Sequence, residues 1–446
     1  MKTVSYRDCK DSGIEWLGTI PDHWEIRRIK DFSQVVRGGS PRPAGNPAFY
    51  EGTIPFLKVG DLTSTEDVYL STHTHTIKEA GLAHTRLVPE NTLLLTNSGA
   101  TLGIPKICTF STTFNDGIAA FIELKKINQV FLYYFLKSQT QWYLNQASFG
   151  QGQPNLNIEI ISHTYFFSPP SFEQKEIAHY LDTKTAQIDR KIDLLTQKAT
   201  LYSNLKQSLI NETVTRGLDK TVPMKDSGID AIGKVPKHWE VKRLKDLFNI
   251  QNSNVDKKLH DNEIPVKLCN YVDVYKNEFI NALLDFTDAT ASKFEIKQFA
   301  IKKGDVFITK DSEACDDIAI PALATESLNN VLCGYHLARL RAKEKVFLGS
   351  YLFRLFQSQS YGFRFVISAK GITRVGLGQS AIADSLTPVP PISEQTAIAH
   401  HLDTKTAQID QIIQTINTQI ERLKELRKTL INDVVTGKIK VVENEH

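Results

Sequence analysis

The sequence predicts an α+β protein in which two mixed α/β modules are separated by two long antiparallel coiled-coil helices, related by a pseudo-twofold internal repeat. Three observations predict it. The stretch LDTKTAQID runs from Leu181 to Asp189 and returns unchanged from Leu402 to Asp410. A leader opens each half: KDSGI at Lys10 to Ile14 recurs at Lys225 to Ile229, and Pro-x-His-Trp-Glu at Pro21 to Glu25 recurs at Pro236 to Glu240. The long segments between these echoes resemble each other only faintly. A duplicated frame around dissimilar inserts is the pattern of two variable modules held in a fixed geometry.

The leaders are offset by 215 residues and the LDTKTAQID copies by 221, so the second insert is about six residues longer. Each half runs in one order: leader, mixed module, Pro-Pro pair, long helix. The boundaries that follow are 1–168 for the first module, 169–218 for the central helix, 219–389 for the second module and 390–446 for the last helix.

In the first module, Ile54 to Val59, Thr92 to Thr96, Ile118 to Leu124 and Tyr165 to Phe167 have the composition of strands. Ile264 to Leu268, Asp305 to Thr309 and Leu337 to Leu340 do the same in the second. Aromatic amphipathic stretches at Val130 to Lys137 and Val346 to Gln357 predict short helices. The Gly/Pro cluster RGGSPRP, Arg37 to Pro43, marks a loop.

After Pro169-Pro170, apolar or small residues fall at Leu181, Thr185, Ile188, Ile192, Leu195, Ala199, Tyr202 and Leu209. After Pro390-Pro391 the series is Ile409, Ile413, Ile416, Ile420, Leu423, Leu430 and Val434. Steps of three and four make a narrow coiled-coil seam. Ser171 and Ser393, each followed by a Glu-Gln pair, give the composition of a helix start. Each helix is expected to span roughly 35 residues, about 50 Å at 1.5 Å per residue. A narrow seam is not stable alone in water, so the two helices are expected to pack on each other. Oligomerisation through the seam is the ordinary alternative.

A chain of 446 residues makes about two to four domains. Hydrophobic content of 41% and charged content of 23% fit a soluble globular protein. With a net charge of +3, any nucleic-acid contact must rest on local concentration of charge or on other subunits. Cys9, Cys108, Cys269, Cys315 and Cys333 are scattered and odd in number, which argues for reduced thiols without a zinc ribbon. The N-terminus lacks the apolar core of a signal peptide and no run could span a membrane, so a cytoplasmic location is expected.

The leaders, Asp11 to Phe32 and Asp226 to Phe248, resemble the start of each half of type I restriction–modification specificity (S) subunits. The segments Gly150 to Asp182 and Gly371 to Asp403 are similar to that family's module-closing signature, and the resemblance covers nearly the whole chain twice over. It implies two target recognition domains, each reading a few base pairs of double-stranded DNA, with paired helices between them. It also implies a bipartite, asymmetric site with an unspecified gap. Two methyltransferase (M) subunits would dock on the helices, and two restriction (R) subunits would complete an ATP-driven endonuclease. The chain itself would be non-catalytic and cofactor-free, with S-adenosylmethionine, ATP and Mg on its partners. Within the closing signature, Gln153-Pro154-Asn155 stands where the second copy has Thr373-Arg374-Val375.

Base edges present paired donors and acceptors, which Arg, Lys, Asn, Gln, Ser and Thr on loops can match. The first module offers Arg37, Ser40, Arg42, Lys58, Asn97, Ser98, Gln151, Gln153 and Asn155. The second offers Asn252, Asn254, Lys257, Lys258, Asn270, Tyr271, Lys310, Lys370, Thr373 and Arg374. Any single one is more readily a solvated loop residue or turn former, while several of the group are expected to touch DNA.

Other motifs point away from catalysis. Asn46-Pro47-Ala48-Phe49 lacks the second proline of the adenine-methyltransferase motif and has no Gly-rich cofactor loop before it. The acids Asp311, Glu313, Asp316 and Asp317 read as decoration of an exposed loop. His73 and His75 lack an evident third ligand, and no phosphate-binding Gly-x-x-x-x-Gly-Lys run occurs. Two alternatives stay open: the recognition region of a self-contained restriction–methylation enzyme, and a coiled-coil assembly protein without DNA affinity.

Overall fold

Thr92–Thr96 is buried along its whole length, and this explains its unbroken apolar run. Leu93 and Leu95 enter one core with Phe131 and Phe135, whereas Leu94 enters a second with Leu57 and Phe114. The strand is therefore central, covered on both faces. In the second module Val306 and Ile308 enter one core and Phe307 another. Each such side chain contributes roughly 1.5–3 kcal/mol on burial. The computed structural model describes residues 2–14, 18–147, 155–343, 347–371 and 373–442.

Both modules are built from the same two sheets. The first has a five-stranded sheet in the order Gln34–Arg37, Ile118–Ile122, Thr92–Thr96, Pro105–Cys108, Tyr69–Leu70. Its four-stranded sheet runs Thr76–Ile77, Tyr50–Leu57, Thr112–Phe114, Leu87–Val88. The second module repeats this as Phe248–Asn252, Leu337–Ala342, Val306–Thr309, Pro321–Ala324, Phe279–Ile280, then Thr287–Ala291, Ile264–Cys269, Leu328–Cys333, Ala300–Ile301. The expected strands are present with small shifts. Val59 begins a short helix, Val59–Thr63, and the second aromatic helix is Gly349–Gln357. Val346 lies outside the described residues.

The chain divides into two compact units, Met1–Leu195 with Thr418–His446, and Thr196–Asn417. The long helices are Ser171–Arg216 and Ile392–Val435, of 46 and 44 residues, longer than the 35 expected. Within the first unit the start of one helix shares a core with the end of the other, through Ile177, Leu181, Ile431 and Val434. Within the second, Ile398 and Leu402 share a core with Ile210 and Val214. The helices are thus antiparallel. The expected seam residues are all buried or half-buried, while Leu194, Leu201, Leu205 and Leu426 are exposed.

Ion pairs repeat with the fold. In the first unit Arg427 lies 3.2 Å from Asp189 and 3.3 Å from Glu66. In the second, Lys206 lies 2.8 Å from Asp410 and 3.2 Å from Glu278. The last residue of each LDTKTAQID copy therefore clasps a cation near the other helix's end.

The leaders fasten the helix starts. Trp24 is fully buried and its Nε1 donates to Glu173 Oε2 at 3.2 Å, with His23 Nε2 2.8 Å from the same oxygen. Trp239 and His238 repeat this on Glu394 at 3.0 and 2.9 Å. Gln174 and Gln395 donate to the carbonyls of Pro169 and Pro390 and accept the N–H groups of Asn128 and Leu348. The Glu-Gln pair, read from the sequence as a helix-start signal, ties leader and module to the helix.

Candidate nucleic-acid interface

One end of the first module collects most of its candidate residues, and strand direction is the reason. Gln34–Arg37 and Thr92–Thr96 are both antiparallel to Ile118–Ile122, so they run the same way and finish together. Tyr50–Leu57 is parallel to Thr112–Phe114, which turns through Asn115–Gly117 into Ile118–Ile122. Three strand ends are thereby gathered on one hairpin tip. Backbone bonds fix them: Gly38 N donates to Ile118 O, Asn115 N to Leu57 O, and Asn97 N to Gly117 O. A Cβ on Gly38 would lie 2.3 Å from the carbonyl oxygens of Phe114 and Asn115, so the approach requires glycine there.

Asp116, on that tip, organises the edge. Arg37 Nε donates to its carbonyl at 2.7 Å, Ser40 Oγ donates to Oδ1 at 2.8 Å, and Arg42 stands 3.9 Å from Oδ2. Lys58 opens the helix Val59–Thr63, its N–H bound by Asp61. With Ser40, Arg42, Tyr50 and Asn115 it lines a hollow of about 420 Å³. Ser98 bridges Asn155. Gln151 and Gln153 lie outside the described residues. Asn97, expected on a loop tip, is 1% exposed, and neither polar atom of its side chain has a partner.

The second module builds the same end with other side chains. Ser253 N donates to Leu337 O, Gly334 N to Cys269 O, and Lys310 N to His336 O, gathering three strand ends on the tip Gly334–Tyr335–His336. Asn252 and Asn270 occupy the places of Arg37 and Lys58. Asn252 Oδ1 is buried and unpaired, and Asn270 Nδ2 donates to Thr287. Tyr271 stacks on Tyr275 and donates to Ser312. Lys310 takes the place of Asn97 and Asp311 that of Ser98. Lys370 pairs with Gly376 across a hairpin that carries the exposed Thr373 and Arg374. Leu156 N donates to Asn97 O and Leu377 N to Lys310 O, which sets Asn155 against Gly376. That is one residue from the register read in the sequence. Lys257 and Lys258 are exposed on the loop beyond Asn252, and Asn254 turns away to Glu295.

Asp311 is not loop decoration. It is mostly buried and paired with Lys310, His336 and Arg374 at 2.9, 2.5 and 3.0 Å. The sequence reading also missed Asp116 and His336; the Asn-Asp-Gly run at 115–117 is the local signal that a tight hairpin stands there. The Asn46 run is a turn, with Asn46 Oδ1 accepting Ala48 N. Among the described residues no three His, Cys, Asp or Glu side chains could jointly hold a metal ion, and no helix is long and apolar enough to cross a membrane.

A sequence pattern described as the type I restriction modification DNA specificity domain matches residues 21–199 and 236–422. The chain belongs to the type I restriction–modification specificity family. Among that family's curated members, it is 27% identical to the type I restriction enzyme MjaIX specificity subunit of Methanocaldococcus jannaschii, covering 96% of each chain. It is 21% identical to the type I restriction enzyme EcoKI specificity subunit of Escherichia coli K12, covering 95% of this chain and 90% of that one. The fold of the specificity family is shared as well. A chain of a solved type I R-M system assembly matches with a TM-score of 0.71 at 14% identity, over 94% of this chain and 99% of that one. The HsdS subunit from Thermoanaerobacter tengcongensis matches at 0.53 and 14%, over 94% and 98%.

Proposed function

We propose that this chain is the DNA-reading, non-catalytic subunit of a type I restriction–modification complex, each module reading one half of a bipartite, asymmetric site. The observation that carries this is the strand-end edge built twice on one topology with different side chains. Identical edges would suit a palindrome; Arg37 and Lys58 against Asn252 and Asn270 suit two different half-sites. Exposed Arg and Lys at each edge would position the module on phosphates, and the remaining loop side chains would specify bases.

In this reading the long helices set the gap and dock two methyltransferase subunits. Support comes from the LDTKTAQID copies. Leu181 and Leu402, Thr185 and Thr406, and Asp189 and Asp410 have internal reasons to match, being buried or ion-paired. Thr183, Ala186 and Gln187 match Thr404, Ala407 and Gln408 although all six are exposed. Identical outward faces suit two copies of one partner. S-adenosylmethionine, ATP and Mg would belong to the methyltransferase and restriction subunits. Methylome sequencing of cells carrying the partner genes, with and without this gene, tests the reading. A gapped, two-part methylated motif that depends on this chain is expected, and its absence would refute the proposal.

A further inference from the structure

We infer that Arg374 reads a guanine in the half-site of the second module, with Asp311 as the positioning residue that holds its guanidinium and His336 as the one that holds Asp311. The inference rests on the proposed function and adds a base identity to it. Arg374 is 53% exposed at the strand-end edge, and its Nη2 donates to Asp311 Oδ1 at 3.0 Å. His336, on the hairpin tip, lies 2.5 Å from the same carboxylate oxygen and 3.1 Å from Nη2. Lys310 occupies the other oxygen at 2.9 Å and lies over the ring of the exposed Tyr335. Burial works against the charged Asp311 carboxyl, but Lys310, His336 and Arg374 outweigh it and hold it below the usual carboxylate range. The Asp311 carboxyl is therefore ionised at neutral pH.

A free surface arginine serves a phosphate well, because charge alone is needed there. A guanidinium with one nitrogen bound to a carboxylate is partly neutralised and fixed in plane. Its remaining donors form an oriented fork, which matches the two acceptors O6 and N7 of guanine in the major groove. No other base presents two adjacent acceptors on that edge. The clamp is particular to the second module: Ser98 stands at the place of Asp311 and Gly117 at that of His336, so the first half-site is read by other means.

The test uses the complete complex with its methyltransferase subunits, combining motif mapping with binding to duplexes substituted at each position of the second half-site over a range of salt. Arg374→Ala is expected to make one guanine position tolerant of any base, erasing a discrimination of roughly 5- to 150-fold, the equivalent of about 1–3 kcal/mol. The first half-site should be unchanged, which also controls for folding and assembly. Arg374→Lys keeps the charge but not the fork and should behave like Arg374→Ala. Asp311→Asn should relax the same single position less completely. Uniform weakening across all sequences, with rescue by lysine and a salt slope lower by about one, would assign Arg374 to a phosphate and overturn the inference. An unchanged motif, or a second half-site without guanine, would overturn it as well. Loss of any gapped motif in the wild-type complex would instead refute the proposed function.

Discussion

Lys106 sits at 1% exposure in the strand Pro105–Cys108, its ammonium donating to the carbonyls of Thr65 and Asp67. Burial first, and then the neighbouring Lys137, lower its pKa to about 8. Between that value and the ordinary lysine range the unfolded chain binds more protons than the folded one, so stability rises with pH across this window. Denaturant midpoints from about pH 7 to pH 11 should climb more steeply for the wild type than for Lys106→Met. Equal slopes would show that the ammonium is not desolvated. Ala322 fills the matching strand position of the second module, so nothing in the repeat announces a buried cation. The strand-end edge was legible in part for a similar reason. Arg37, Ser40 and Arg42 stand out as polar residues beside glycine and proline, but Asp116, which gathers them, is separated from them by most of the sheet in sequence. Asn97 looks like a loop-tip polar residue because it ends an apolar run; only the pairing of its backbone with Gly117 and Leu156 places it inside.

The helices were the most legible elements, since their seam has a period that a single chain displays. Their starts were legible from Ser171 and Ser393 with the Glu-Gln pairs; what those pairs do was not, because Glu173 and Gln174 are buried against the leader and module and the first turns lack the seam pattern. Two-residue strands such as Tyr69–Leu70 and Thr76–Ile77 have no local signature and exist only through their partners. The proposal that the helices set the gap is tested at this scale. Insertion of about four residues into one helix adds about 6 Å and a rotation. Methylome mapping should then find both half-sites intact and the gap altered; an unaltered gap would contradict the idea.

The two units interleave in sequence, which makes an unusual prediction about the whole molecule. Deleting residues 418–446 removes the last part of the chain, yet it takes Ile431, Val434, Val435 and Val441 from the core of the first unit. It also frees Glu66 and Asp189 from Arg427. Hydrogen exchange should report loss of protection in residues 20–195, with the core of the second unit still protected; loss confined to 219–389 would contradict the assignment. The duplicated LDTKTAQID carries a further, genetic consequence. Unequal crossing-over between its two coding copies would join Asp189 directly to Gln411, leaving one module and one helix. The start and end of that helix are the two pieces that pack on each other in the first unit, and a single helix cannot fold back to bring them together. Two such chains, each lending its helix end to the other, would restore both contacts. On the proposed function, the recombinant would read a palindrome.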